Sequence, residues 1–409
     1  MAACRFCAAP LEATFVDLGM SPPSESFVPA ERLNHMEPFY PLHAWVCGSC
    51  FLVQLEEYVS PAEIFTEYAY FSSYASSWVK HAEDYVEAMV AGLGLDSRSF
   101  VVELASNDGY LLQFFTRRGI PALGIEPAAN VASVAQGLGI ETLVRFFDQA
   151  LGRELAAAGR RADLIVANNV LAQVPDLNSF VAGIRELLKP TGTATIEFPH
   201  LQRLVEGNQF DTIYHEHFSY FSFLTAERVF AAQGLTLFDV EELWTHGGSL
   251  RLHARHEDDH SRPVTERAIA LRRRELDAGY ADLEVYRAFE QRVHATKRRL
   301  LDLLIEAKDD GKRIAAYGAP GKGNTLLNFC GIRADLVEFT VDRNPYKHGR
   351  FLPGTHIPIF PPEHLDQKKP DYILILPWNF QEEIVAQLSH ARAWGARFIV
   401  PIPEARILP

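Results

Sequence analysis

Apolar residues fall along this chain in short runs separated by turns and helical stretches, and the alternation predicts two α/β units. Phe100-Val101-Val102-Glu103-Leu104 is a brief apolar run broken by one acid, of the length of a buried strand. It passes into Ala105-Ser106-Asn107-Asp108-Gly109 and then a helix through Phe115. Pro121–Glu126, Ala162–Asn169 and Gly192–Phe198 read as further strands, and Ser77–Val90 as a helix with apolar positions at helical spacing. Strands alternating with helices predict a parallel sheet covered on both faces. A second such pattern starts after Gly311, with strands at Arg313–Tyr317, Val337–Asp342 and Asp371–Leu376. Between the two units, Ala268–Ala307 is charged and periodic (Leu271, Leu276, Leu283, Tyr286, Phe289, Val293, Leu300, Leu303), which predicts one or two long helices or a solvated spacer packed on one face. The first stretch is different, rich in proline (Pro22, Pro23, Pro29, Pro38, Pro41) and short of periodic helices. The expected division is therefore 1–70, 71–255 and 256–409.

At 409 residues the chain is too long for a single core. Its 48% hydrophobic and 22% charged content is that of a soluble globular protein. A formal charge of −13 without acidic blocks makes nucleic acid and anionic membranes poor partners. No apolar stretch approaches bilayer length and the start lacks a signal-peptide core, so a cytoplasmic protein is expected. Four of the five cysteines form two pairs, Cys4-x-x-Cys7 and Cys47-x-x-Cys50. Two such knuckles complete a tetrahedral Cys4 shell, so a structural zinc is expected, with separate buried or redox cysteines as the alternative. Cys330, in an apolar context, reads as a core residue.

The first α/β turn has the layout of a nucleotide site: strand, small-residue turn, helix, and a second strand ending in an acid. It carries Glu103 and Asp108 but only one glycine, Gly109, and a pyrophosphate would be repelled there. S-adenosylmethionine, which has no phosphate and bears a positive sulfonium and ammonium, fits those acids. Glu103, Ala105, Asn107, Asp108, Gly109 and Asn168 are candidate contacts, and Glu126 is placed to accept hydrogen bonds from both ribose hydroxyls. An ordinary α/β turn is the plainer reading.

Two further constellations carry chemistry. Tyr214-His215-Glu216-His217, wrapped in Phe218, Tyr220 and Phe221, offers groups that can take a proton from a weak acid and steady the anion. The same four residues also suit a metal site or a polar loop. Tyr317-Gly318-Ala319-Pro320-Gly321-Lys322-Gly323-Asn324-Thr325 is a glycine-rich turn from strand to helix that suits a phosphate, although it lacks P-loop spacing. With Asp342, Lys347, Trp378 and Asn379 at neighbouring strand ends it could hold a nucleoside diphosphate, or it could be purely structural.

Together the two knuckles, the Glu103–Gly109 turn, Tyr214–His217, Thr245-His246-Gly247-Gly248-Ser249-Leu250-Arg251 and Gly318–Gly323 resemble the nucleotide-sugar C-methyltransferases that act on 4-keto deoxysugars, over nearly the whole length. The resemblance implies a zinc lobe, a Rossmann-like methyl-donor domain and a second Rossmann-like domain for the nucleotide sugar, with the active site between them. It implies Tyr214, Glu216 and His217 in the sugar site, with His217 as general base, and a closing role for Tyr70. His246 and Ser249 fall in its sugar-binding stretch. One position departs: Gln173 stands where the family has His, and Gln cannot titrate. The implied chemistry is removal of a proton at C-3, next to the 4-keto group, by a histidine of ordinary pKa, about 6.5, that Glu216 orients. Tyr214 or Gln173 would hydrogen-bond the enolate. The substrate would be a dTDP- or GDP-linked sugar and the protein a monomer. The rivals are a sugar O- or N-methyltransferase and a non-catalytic zinc-ribbon protein.

Overall fold

The computed structural model describes residues 2–65, 71–74 and 76–408. Its largest sheet has seven strands in the order Leu235–Leu243, Ser249–His256, Leu188–Pro199, Ala162–Asn168, Val101–Leu104, Ala122–Ile125 and Glu141–Leu143. The last five are parallel, and Ser249–His256 runs antiparallel to both neighbours. Val101, Val102, Leu104, Leu123, Ile165 and Ile196 are buried, which is why these strands read as short apolar runs without alternation. From Val101–Leu104 the chain first moves to one side of the sheet and then returns to the other. That reversal opens a crevice at the carboxyl ends of the central strands.

A second sheet repeats the plan. Ile359–Phe360, Thr340–Val341, Ile314–Tyr317, Tyr372–Ile375 and Arg397–Val400 are parallel, and Arg406–Ile407 closes the edge antiparallel. The charged stretch between the sheets forms two longer helices joined by a short one, and Leu276, expected among its apolar positions, is exposed. Glu266–Asp277, capped by the Thr265 hydroxyl, buries Ala268 and Leu271 against the seven-stranded sheet. Leu283–Arg287 follows, and Phe289–Asp309 buries Phe289, Val293, Leu300 and Leu304 in the other core.

The N-terminal lobe is a four-stranded antiparallel sheet, Ala13–Ser21, Tyr40–Val46, Val53–Gln54 and Ser219–Tyr220. Its fourth strand is borrowed from a distant part of the chain, two residues beyond His217. The lobe also packs Phe15 flat on Phe289, ring centroids 4.6 Å apart, and pairs Val28–Pro29 with Arg350–Phe351. It therefore touches both larger units.

The Cys4, Cys7, Cys47 and Cys50 sulfurs lie within 4.8 Å of one another, with Cys4 to Cys50 and Cys7 to Cys47 each 3.5 Å. Four sulfurs this close, all from the protein, are the donor set that a closed tetrahedral zinc shell requires. Gln54 donates its amide to the Cys4 sulfur at 3.2 Å and accepts from the Arg5 backbone N–H, while its own backbone pairs with Ser219. Cys330 is a buried core residue.

Because the metal shell and the borrowed strand share Gln54, loss of the metal should propagate into Ser219–Tyr220. Cys47→Ser or chelation should lower the unfolding midpoint and abolish hydrogen-exchange protection at Val53, Gln54 and Tyr220. Protection at Val101–Leu104 should persist. Elemental analysis should find one zinc per chain, and exchange mass spectrometry checks the rest.

Candidate active site

The turn after Val101–Leu104 carries left-handed backbone at Ala105, Asn107 and Gly109. Gly109 is required: its φ is +79°, and a Cβ there would come within 2.6 Å of Ile140. Glu126 ends the next strand and accepts the Asn107 N–H on one oxygen and the Ala128 N–H on the other, both at 2.9 Å. Each oxygen keeps a lone pair for a ribose hydroxyl. Asn107 and Asp108 also accept the backbone N–H groups of Ser72 and Ser73, so the segment 71–74 lies over the turn. Tyr70 lies outside the described residues.

Glu103 Oε2, Asp108 Oδ1 and Asn168 Oδ1 are buried with no hydrogen-bond partner among the described residues. Burial, with Asp108 and Glu126 beside it, pushes Glu103 well above the usual carboxylate range. Burial also raises Glu126. Clustered acids with unmet oxygens call for a cationic, hydroxyl-bearing partner, which is the character of S-adenosylmethionine.

From this turn the crevice continues through an aromatic bridge. Trp78 lies 6.2 Å from Tyr110, stacks on His81 and meets the His246 ring edge-on at 5.4 Å. Behind it, fully buried Glu197 accepts from His81, Thr245 and Arg251 at 2.8–3.2 Å. This network anchors the Thr245–Gly248 loop, in which His246 adopts φ 54°. Ser249 is buried and its hydroxyl donates to the Thr245 carbonyl, so it braces the loop.

The Tyr214–His217 run is not extended. His217 N–H donates to the Tyr214 carbonyl at 2.9 Å, closing a tight turn. The turn brings Tyr214 and His217 onto one side, with the Tyr214 hydroxyl 3.2 Å from His217 Nε2 and the rings 4.2 Å apart. His215 points the other way, buried against Tyr40, with Nε2 on the Pro41 carbonyl. Glu216 does not reach the imidazole. It accepts from the Ser24 hydroxyl at 3.1 Å, because the turn directs it to the lobe's Pro22–Glu25 loop. Burial, with Glu25 nearby, pushes Glu216 up to about 7.

The expected ordinary histidine is also corrected. Burial first, then the charges of His246 and Lys322, push His217 down to about 3, and burial with Lys322 pushes His246 to about 4. Both rings are therefore neutral across the physiological range. Gln173 sits on the turn Leu171–Gln173, which packs against Ser219–Tyr220.

The second glycine turn closes the far wall. Helix Gly321–Cys330 packs on Phe210–Thr212, and Thr325 donates its hydroxyl to the Ile213 carbonyl. The turn's N–H groups do not face an open phosphate site. Ala319 N–H donates to Asp342 at 2.7 Å, and the Glu25 carboxylate holds the Gly321 N–H. Gly318, at φ +88°, leaves room for Pro377.

The two cations of this wall are held by the protein itself. Lys322 lies 4.7 Å over the Trp378 ring and donates to Asn379, while Lys347 donates to the Ala319 carbonyl. Asn324 donates its amide to the Ser24 carbonyl, tying the lobe to this helix. Trp378 donates its indole N–H to fully buried Asp211 at 2.7 Å. Asp211, Glu197, His81, Ser24 and Glu25 were not singled out from sequence. The first two had a signal, as lone acids inside apolar runs; the others had none.

Three family models match consecutive parts of the chain: "Putative zinc binding domain" over 4–65, "Methyltransferase domain" over 78–240 and "C-methyltransferase C-terminal domain" over 244–403. C-methyltransferase NovU of Streptomyces niveus is 36% identical over 407 residues, 99% of this chain and 96% of that one. The ubiquinone biosynthesis O-methyltransferase of Azorhizobium caulinodans is 30% identical over 114 residues, 26% of this chain and 45% of that one. Among solved structures, magnesium protoporphyrin IX methyltransferase of Synechocystis with bound SAH is 14% identical, covers 44% of this chain and 81% of its own, and has a TM-score of 0.34. Given the identity to NovU along almost the whole of both chains, this protein belongs to the S-adenosylmethionine-dependent C-methyltransferases built from zinc-binding, methyltransferase and C-terminal domains.

Proposed function

We propose that this enzyme methylates C-3 of a nucleotide-linked 4-keto deoxysugar, dTDP- or GDP-linked, through an enolate. The observation that carries this is the Tyr214–His217 pair, held on one side of a turn at the crevice where His246 and Lys322 converge. The proposed units keep the divisions 1–70, 71–255 and 256–409. The enzyme acts as a cytoplasmic monomer, without nucleic acid or membrane as partner.

Bound at the first turn, S-adenosylmethionine supplies an electrophilic methyl on a positive sulfur. Glu103, Asp108 and Asn168 meet its charge and polar groups, and Glu126 meets its ribose. His217 takes the proton next to the ketone. Tyr214 hydrogen-bonds the enolate oxygen, aided by Gln173, which can donate an N–H but not a proton. Lys322 and Lys347 carry the diphosphate, and Asp342 accepts sugar or ribose hydroxyls. A base held near 3 is weak in the free enzyme. A diphosphate beside Lys322 would offset that lysine's share of the depression of His217, the smaller part beside burial and His246.

Three outcomes test this reading. Glu126→Ala should weaken adenosylmethionine by roughly 1.5–3 kcal/mol by calorimetry. Unchanged affinity would remove the ribose assignment.

His217→Asn should bind both ligands nearly normally yet lose turnover by about 10²–10⁴-fold, together with exchange of the C-3 hydrogen into heavy water. His215→Asn, whose ring faces the lobe, should cost far less. A larger loss at His215 would overturn the assignment.

Glu216 gives a pH signature. Its folded pKa, about 7, lies above the unfolded value, so the folded state binds more protons between the two. Its contribution is fully present below the unfolded pKa and is lost as pH rises through 7. Glu216→Gln should therefore flatten the decline in stability from pH 5 to 8, as read by denaturant melts across that range.

A further inference from the structure

We infer that Asp211 is a positioning residue for the nucleotide sugar, holding Trp378 and, through it, the Lys322 ammonium where the diphosphate is read. This rests on the proposed role of Lys322. Asp211 lies on the short turn Phe210–Thr212, just ahead of Tyr214, and is fully buried. One carboxylate oxygen accepts the Trp378 indole N–H at 2.7 Å, and the other has no partner among the described residues.

The ring of the same indole carries Lys322, its nitrogen 4.7 Å from the centroid. A carboxylate that accepts the indole N–H pushes electron density into the ring and strengthens its hold on a cation. The negative charge also acts on the ammonium directly. Lys322 is lowered by burial and raised by Asp211. A buried acid with an unmet oxygen is costly, and burial pushes Asp211 up to about 6. Beside a buried lysine, that acid favours the protonated ammonium. The link also spans two units, since Asp211 precedes the Tyr214–His217 turn while Trp378 and Lys322 belong to the C-terminal sheet. The Thr245–Gly248 loop abuts the same ring: a Cβ on Gly247 would lie 3.0 Å from the Trp378 ring. The titratable groups facing Lys322 are Asp211, His217 and His246.

Asp211→Asn keeps an acceptor for the indole but removes the charge. It should raise KM for the nucleotide sugar by about 10-fold, leave adenosylmethionine affinity unchanged, and move the alkaline rise of KM to lower pH, because Lys322 then loses its proton more easily. Trp378→Phe keeps the ring and deletes the N–H donor. It should raise KM similarly, and the double variant should be little worse than either single one, since both break the same link. Lys322→Met tests the reading underneath and should raise KM strongly. If Lys322→Met raises KM while Asp211→Asn, folded by its melt and adenosylmethionine binding, leaves KM and its pH profile unmoved, the inference is overturned and the lysine's role stands. If Lys322→Met leaves KM unchanged, both fall. Additive effects of Asp211→Asn and Trp378→Phe would likewise overturn it.

Discussion

The borrowed strand Ser219–Tyr220 is the constraint on which the crevice depends. It completes the sheet of a lobe whose other three strands come from the first 54 residues, and it begins two residues after His217. Leu55 N–H donates to the Phe218 carbonyl, Gln54 opposes Ser219, and the Gln54 side chain reaches the Cys4 sulfur. A metal bound by those sulfurs thereby fixes where the Tyr214–His217 turn emerges. The turn needs such help: it follows a short 3-10 turn rather than a long element, and its own closing bond is one N–H to one carbonyl. His215 adds a second tether on the Pro41 carbonyl, and Ser24 a third through Glu216. The lobe is thus part of the active-site scaffold, even though its thiolate shell is closed to substrate.

How far the sequence could be read follows from what each signal measures. Short apolar runs report burial on both faces, so the parallel strands of both sheets were legible, as was the Cys4 set from its spacing. The turn at Tyr214–His217 was legible as a requirement: alternation would have set Tyr214 with Glu216, and a Tyr–His pairing needed the chain to bend. Its consequence for Glu216 was not legible, because the partner, Ser24, lies 192 residues away. The same holds for the second glycine turn. Local pattern promised free N–H donors, and long-range contacts from Asp342 and Glu25 occupy them. Helix Glu266–Asp277 was legible as a helix despite its charged composition, and Ala268 and Leu271 suffice to seat it on a sheet.

The two ends of the crevice differ in what answers their buried acids. At one end Glu103, Asp108 and Glu126 crowd together, and burial raises two of them, a cost recovered only by a positive ligand. At the other end Lys322 lies among His217, His246 and Asp211, and Lys347 lies beside Glu25.

The same field sets the strength of the base. Burial alone lowers a histidine, and His246 and Lys322 add to it at His217. Without ligand, the imidazole rests neutral on the Tyr214 hydroxyl, an arrangement that neither holds nor releases a proton readily near neutral pH. Arrival of two or more negative charges at Lys322 offsets that lysine's share, which is smaller than those of burial and His246. Basicity would then rise only in the complex that contains the carbon to be deprotonated. A histidine with an ordinary pKa would instead be partly protonated, and so partly useless, just below neutral pH. On the proposed reading, a depressed base beside a substrate-seeking lysine keeps the proton acceptor empty until it is needed, and ties deprotonation to occupancy of the diphosphate site.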